Sequence, residues 1–397
     1  MKEESARKGA KPQSEESPTN LRAGEGRPLR ILIVAPSFDI LGGQAVQAAR
    51  LLKGLRAERS LQVDFLPINP RLPGALRKLQ AIKYVRTVVT SLLYGATLLA
   101  RVRRYDVIHI FSASYFSFVL APTPAILVAK LYGKEIVLNY HSGEAEDHLA
   151  RWRRTAIPTI RLADEVAVPS DYLVRAFARF GLHARAIFNT IESATFRFQE
   201  RRQLRPLFLS NRNLEAHYGV DRVLRAFAII QQSFPDASLT VAGDGSQRRS
   251  LEQLARELNL QNVEFKGQVE HEKVSALYDA ADIYLNGSEI DNQPLSLLEA
   301  FACGLPVITT NAGGIPDMVT HERTGLLVQR GDYKAMADCA LRLLRDAELA
   351  RAITARALEE CHKYSWEAVR GKWLDLYEGL ASSGKLQFVV DRRSMIS

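Results

Sequence analysis

Cysteine is scarce in this 397-residue chain: Cys303, Cys339 and Cys361 stand far apart, with no spacing that suggests a pair or a metal centre. That excludes a disulfide-built scaffold and leaves reduced thiols, the usual state of cysteine in the cytoplasm, as the expectation. Large apolar residues are almost absent from the first 28 positions, which are rich in Lys, Glu, Ser, Pro and Gly. A disordered polar tail is expected there, and no secretory leader, because a leader needs an apolar centre. The whole chain is 47% hydrophobic and 24% charged, an ordinary globular balance. Its length is too great for one core, so two domains are expected.

Acidic residues are missing from positions 65–105, which hold eight basic ones (Arg71, Arg77, Lys78, Lys83, Arg86, Arg101, Arg103, Arg104). Residues 1–200 carry 29 Lys and Arg against 18 Asp and Glu, whereas residues 201–397 carry 24 against 26. The net charge of +9 therefore sits in the first half, a half suited to an anionic partner. Leu76, Leu79, Ile82, Val85, Val89, Leu92, Leu93, Ala96, Leu99 and Val102 recur at helical spacing. A basic amphipathic helix of this kind is expected to lie peripherally on an anionic membrane. Its uncharged run, Thr87–Ala100, is 14 residues and reads as too short to span one. Aromatic residues are not interleaved with the basic ones, so nucleic acid is not an expected partner.

What the chain has instead is a repeated alternation of short apolar runs with amphipathic segments, the pattern of parallel, doubly wound α/β sheets. Residues 30–35 (RILIVA) read as a buried first strand, followed by Gly42-Gly43 and a helical pattern over 45–55. The G-x-G-x-x-G fingerprint is absent, yet two glycines let a ligand approach the helix start. Strands are also expected at 61–66, 106–111, 135–139, 206–210, 237–242, 263–266, 282–286 and 307–309. His141 follows the fourth of these runs, at the carboxyl end where open α/β sheets place ligand groups. Glu144, Glu146 and His148 stand close behind it.

The richest stretch is Gly287 to Thr310, GSEIDNQPLSLLEAFACGLPVITT. A strand ends, a polar loop follows, and a helix opens near Pro294 and ends at Gly304, with Pro306 beyond. A loop that feeds a helix N-terminus presents free N–H groups to an anion. Asp291 and Glu299 bracket it, with seven residues between them, before Cys303-Gly304 and Pro306. NAGGIPD at 311–317 and TGLLV at 324–328 follow.

These motifs resemble the nucleotide-sugar site of the retaining GT-B glycosyltransferases of family 4 (glycosyltransferases group 1), and the likeness runs from about residue 29 onward. It implies a GT-B fold, with two Rossmann-like domains facing a cleft and a C-terminal helix crossing back. The expected divisions are a tail at 1–28, an acceptor domain at 29–203, a nucleotide-sugar-binding domain at 204–364 and the returning helix at 365–397. A hinge is expected in the polar stretch 200–205. The likeness further implies that His141, Arg212 and Asp291 take part in catalysis. Gly42, Gly43, Tyr218, Gly243, Gln293, Pro294, Leu295, Ser296 and Glu299 are expected to bind substrate. Glu299 would take the ribose hydroxyls, Asp291 those of the transferred sugar, the N–H groups of 293–296 the phosphates, and Arg212 the leaving diphosphate. No metal and no other cofactor is expected.

Two departures stand out. Asp291 is a Glu in the family. Tyr218 replaces the family's Lys, so one of two cations for the diphosphate is missing, with His217, Lys266, Arg222 and the Gly42-Gly43 backbone as candidate substitutes. The expected reaction is retaining transfer from a UDP- or GDP-sugar to a lipid-linked or envelope glycan, in the cytoplasm or at the inner membrane face. The rivals are epimerisation or phosphorolysis on the same fold, and a non-catalytic subunit that binds a nucleotide sugar or glycan.

Overall fold

The computed structural model describes residues 27–39, 42–72, 82–192 and 194–382. The expected tail, most of it, and the basic residues Arg77 and Lys78 lie outside these. Apolar runs form two parallel sheets. The first comprises β1 (Leu29–Ala35), β2 (Leu61–Pro67), β3 (Val107–Ser112), β4 (Glu135–Tyr140), β5 (Glu165–Val168) and β6 (Arg185–Ala186), in the order β2-β1-β3-β4-β5-β6. The second comprises β7 (Leu207–Asn211), β8 (Ser238–Ala242), β9 (Val263–Gly267), β10 (Ile283–Asn286), β11 (Val307–Thr310) and β12 (Leu326–Val328), in the order β12-β11-β10-β7-β8-β9. β3 and β4 are buried at every position, as parallel strands covered on both faces must be.

Helices cover both faces of each sheet. Helix Gly43–Arg56 shares one core with Ile31, Ile33 and Val107 and with Trp373 and Tyr377 of the last helix, Trp366–Ser382. That last helix therefore returns to the first sheet, as the sequence suggests. A side chain at Gly54 would collide with the Trp366 ring, so the close approach of the two helices requires glycine there. The return is pinned in the core, where the Tyr377 hydroxyl lies 2.7 Å from His109 Nδ1 and Asn139 Nδ2 lies 3.1 Å from its Nε2. Helices 83–101, 122–131, 153–160 and 171–178 cover the other face. Helices 220–233, 248–257 and 333–345 lie on one face of the second sheet and 295–302 on the other, while 347–361 contributes Ala350 and Ile353 to the core on the first of these faces and Ala357 and Cys361 to that on the second.

Several expectations shift. The helix expected to open on Pro294 begins at Leu295, with Pro294 extended as its cap (φ −66, ψ 121), and Gly304 takes the left-handed conformation (φ +74). The stretch 200–205, expected as the hinge, is fastened to the second sheet: Arg201 donates to the carbonyls of Ala281 and Tyr278, and Arg205 pairs with Asp282 at 3.0 Å. The basic helix spans Lys83–Arg101 and continues as a short tight turn to Arg104. Segment Val85–Arg104, 20 residues, is long and apolar enough by length and composition to cross a membrane, which corrects the reading from its shorter uncharged run. Tyr94, Leu98 and Val102 are nevertheless buried in the first core, which lays this helix along the protein.

Candidate functional site

Each sheet changes winding direction once, and a crevice forms at that point beyond the strands' carboxyl ends. In the first sheet the change falls between β1 and β3, in the second between β7 and β10. The two crevices face each other across a single cleft of about 590 Å³. Gly42, Gly43, His141, Arg212, Tyr218, Gly243, Asp291, Gln293, Pro294, Leu295, Ser296 and Glu299 all line it, so the residues expected from the resemblance to act in catalysis or bind substrate are brought to one place.

Arg212, just past β7, is the centre of the second-sheet wall. Its Nη2 donates to Asp291 Oδ2 at 2.5 Å and its Nη1 to Ser296 Oγ at 3.2 Å, and its buried Nε has no partner. Burial works against the charge, but Asp291 and the neighbouring tyrosines more than restore it, and the pKa is raised. Asp291 in turn rests on a buried polar ladder: Ser288 Oγ lies 3.0 Å from its Oδ2 and 2.8 Å from Asn286 Oδ1, and Asn286 donates to Thr309 at 2.9 Å. The sequence reading missed this ladder. Its only signal is a run of small polar residues at adjacent strand ends.

Tyr218, where the family has its Lys, packs against Arg212 in the cleft wall. Its ring lies under the Arg212 guanidinium, with Cζ 4.1 Å from the centroid, a cation–π contact that steadies the arginine. The suggested substitutes Arg222 and Lys266 are engaged elsewhere: Arg222 pairs with Asp221 and Glu289, Lys266 with Glu264, and neither lines the cleft. The Gly42-Gly43 backbone and His217 do line it. Gly219, next to Tyr218, has φ +60, and a side chain there would overlap the carbonyl of Gly287. Only two glycines allow the loops after β7 and β10 to touch this closely.

Glu299, one turn and more into helix 295–302, is buried, and its Oε2 accepts from the Tyr278 hydroxyl at 2.8 Å. Burial raises its pKa; Arg50 foremost opposes this, then Tyr278, His271 and Arg212. On the opposite wall the His141 ring stacks on Phe111 with centroids 5.0 Å apart, and its buried Nε2 has no partner. Burial pushes its pKa down to about 3, so it faces the cleft as a neutral imidazole able to hydrogen-bond a hydroxyl. Ser114, Ser142 and Glu144 extend this wall, with Ser142 Oγ 3.0 Å from Ser114 Oγ. Glu144, Glu146 and His148 do not converge: Glu146 pairs with Arg179, and His148 is buried against Tyr140. Among the described residues no group of three or more His, Cys, Asp and Glu is placed to hold a metal ion.

Two doubly wound domains facing each other across one cleft form the GT-B arrangement. Residues 41–193 match the family described as Glycosyltransferase Family 4, and residues 192–360 match Glycosyl transferases group 1. The chain belongs to this family and is an enzyme of that kind. It is 28% identical over 314 residues, 73% of its length, to the sulfoquinovosyl transferase SQD2 of Arabidopsis thaliana, of which it spans 60%. It is 24% identical over 391 residues, 90% of its length, to the phosphatidyl-myo-inositol mannosyltransferase of Mycobacterium leprae, of which it spans 98%. Among solved structures, HepE of Anabaena in complex with UDP and glucose superimposes with a TM-score of 0.69 at 18% identity, covering 89% of this chain and 100% of that one.

Proposed function

We propose that this enzyme transfers a hexose from a UDP- or GDP-linked donor to a lipid-linked or envelope glycan, with retention of configuration. The carrying observation is that Arg212, Asp291 and Glu299 on one wall face His141 and Gly42-Gly43 on the other. In this reading Glu299 takes the ribose hydroxyls and the N–H groups around Gln293–Ser296, at the start of helix 295–302, take the phosphates. Arg212 swings its charge from Asp291 to the diphosphate as the sugar–oxygen bond breaks, when that oxygen gains negative charge. Asp291 and neutral His141 hold the sugar hydroxyls. One cation serves where the family has two, and the backbone N–H groups of Gly42-Gly43 supplement it. No metal or other cofactor enters the proposal. Unpaired Cys303 and Cys361 are buried, which suits the reducing cytoplasm.

A membrane-borne acceptor is supported by an exposed apolar face. Tyr94 bonds to the Ala121 carbonyl and Tyr132 to that of Leu99, which ties helices 83–101 and 122–131 side by side. Leu92 and Leu131 on this face are 70% and 71% exposed, and basic Arg103 and Arg104 flank it. The test is release of nucleotide from a panel of UDP- and GDP-sugars, with and without anionic vesicles that carry polyprenyl- or inositol-based acceptors. Transfer from one donor, faster on vesicles, is the expected result. A nucleotide that binds but is never released with any acceptor would favour the non-catalytic reading that Tyr218 motivates.

A further inference from the structure

Helix Gly43–Arg56 begins at the cleft and turns one face, Gln47, Arg50 and Lys53, away from its own sheet. Gln47 clasps the backbone of Thr190, donating from Nε2 to its carbonyl at 2.8 Å and accepting from its N–H at 2.8 Å. Arg50 adds a bond from Nη1 to the same carbonyl at 2.6 Å. That single bond leaves most of the guanidinium unused. Nε and Nη2 are buried without a hydrogen-bond partner, and Nη2 lies 4.0 Å from Glu299 Oε1 in the opposite domain. Both side chains are 8% exposed.

A buried cation with unspent donors beside a buried carboxylate is costly unless each answers the other. Burial lowers the pKa of Arg50, and Glu299 then Glu192 oppose that. Four groups face Glu299: Arg50 from helix 43–56, Tyr278, His271 and Arg212. Arg50 alone comes from the first-sheet side. We propose that Arg50 is a positioning residue that acts through Glu299, so that the carboxylate is set for a nucleotide's ribose only when the two domains are together. Opening the cleft would leave Glu299 with Tyr278 and hydration in place of Arg50, and its hold on a ribose would loosen. The inference rests on Glu299 as the ribose ligand. It extends that reading by making nucleotide affinity depend on a residue of the acceptor side that touches no nucleotide.

The test is calorimetric titration of UDP and GDP, and of the 2′-deoxy form of whichever binds, into four proteins: wild type, Arg50→Gln, Glu299→Gln and the double variant. Arg50→Gln should weaken the ribonucleotide at least about tenfold, and the double variant should bind within about twofold of Glu299→Gln alone. Arg50→Lys, which keeps the charge, should recover part of the loss. The preference for ribose over 2′-deoxyribose should shrink in Arg50→Gln, which mere packing damage would not cause. Removing Arg50 takes away the leading influence that keeps Glu299 ionised, so affinity in Arg50→Gln should fall as pH is lowered over a range where wild type is flat. An unchanged affinity in Arg50→Gln, or an equal loss in both backgrounds, overturns the inference and leaves the nucleotide site intact. A wild type that binds neither nucleotide removes both.

Discussion

Replacing Arg212 with Ala separates catalysis from binding at this site. The substitution deletes the partner of Asp291 in a pair whose side chains are each 10% exposed. Breaking a buried pair costs about 3 kcal/mol when the survivor is left bare. Asp291 is not bare, because Ser288 Oγ and the Asn292 N–H both remain 3.0 Å from it. The stability loss should therefore be about 2 kcal/mol, and the protein should still fold. The loss in rate should be larger. Among the described residues that line the cleft Arg212 is the lone Arg or Lys, and removing one preorganised donor to developing negative charge lowers turnover about 10²- to 10³-fold. Arg212→Lys should recover little, since a lysine does not span Asp291 and Ser296 as the two Nη groups of the arginine do. The assay is nucleotide release under saturating donor and acceptor, with circular dichroism to confirm folding. Turnover within about threefold of wild type would refute the assignment.

Two further outcomes follow from the geometry. Gly219→Ala places a methyl group against the Gly287 carbonyl at φ +60, so the loops that carry Tyr218 and Asp291 must separate. Stability should fall by about 2 kcal/mol and nucleotide binding with it, measured by thermal melting and calorimetry. His109 and His141 are each held near a pKa of about 3 by burial, below the unfolded value. The unfolded chain therefore binds more protons than the folded one below about pH 6.5, and stability should decline as pH falls from there toward 3. At pH 5 the loss should be about 2 kcal/mol per histidine, and denaturant midpoints across pH 5–8 in wild type and His109→Gln would show it.

Much of this arrangement was legible in the sequence because parallel buried strands leave unbroken apolar runs. Residues 31–35 show this plainly, as do 107–111 and 283–286 apart from His109 and Asn286, and ligand groups collect at the ends of such strands. Helices 115–120 and 122–131 were not legible, since their sequence is mostly apolar and carries Pro122 and Pro124, with no clear periodicity to read. β6, two residues at a sheet edge, gave no signal. The cleft residues were found by motif and position, but their mutual contacts were not. Nothing in the order of residues says that Tyr218 lies under Arg212, that Arg222 and Lys266 are spent elsewhere, or that Arg50 reaches Glu299. Those facts arise from packing between segments distant in the chain.

Whether the wall built by Arg212, Asp291 and Glu299 binds a nucleoside diphosphate is decided by calorimetric titration of UDP, GDP and ADP into wild type and Glu299→Ala. The expected result is saturable binding of UDP or GDP to wild type and at least about tenfold weaker binding to the variant, because a carboxylate holding two hydroxyls is lost. Binding of none of the three, or equal binding by both proteins, would contradict it.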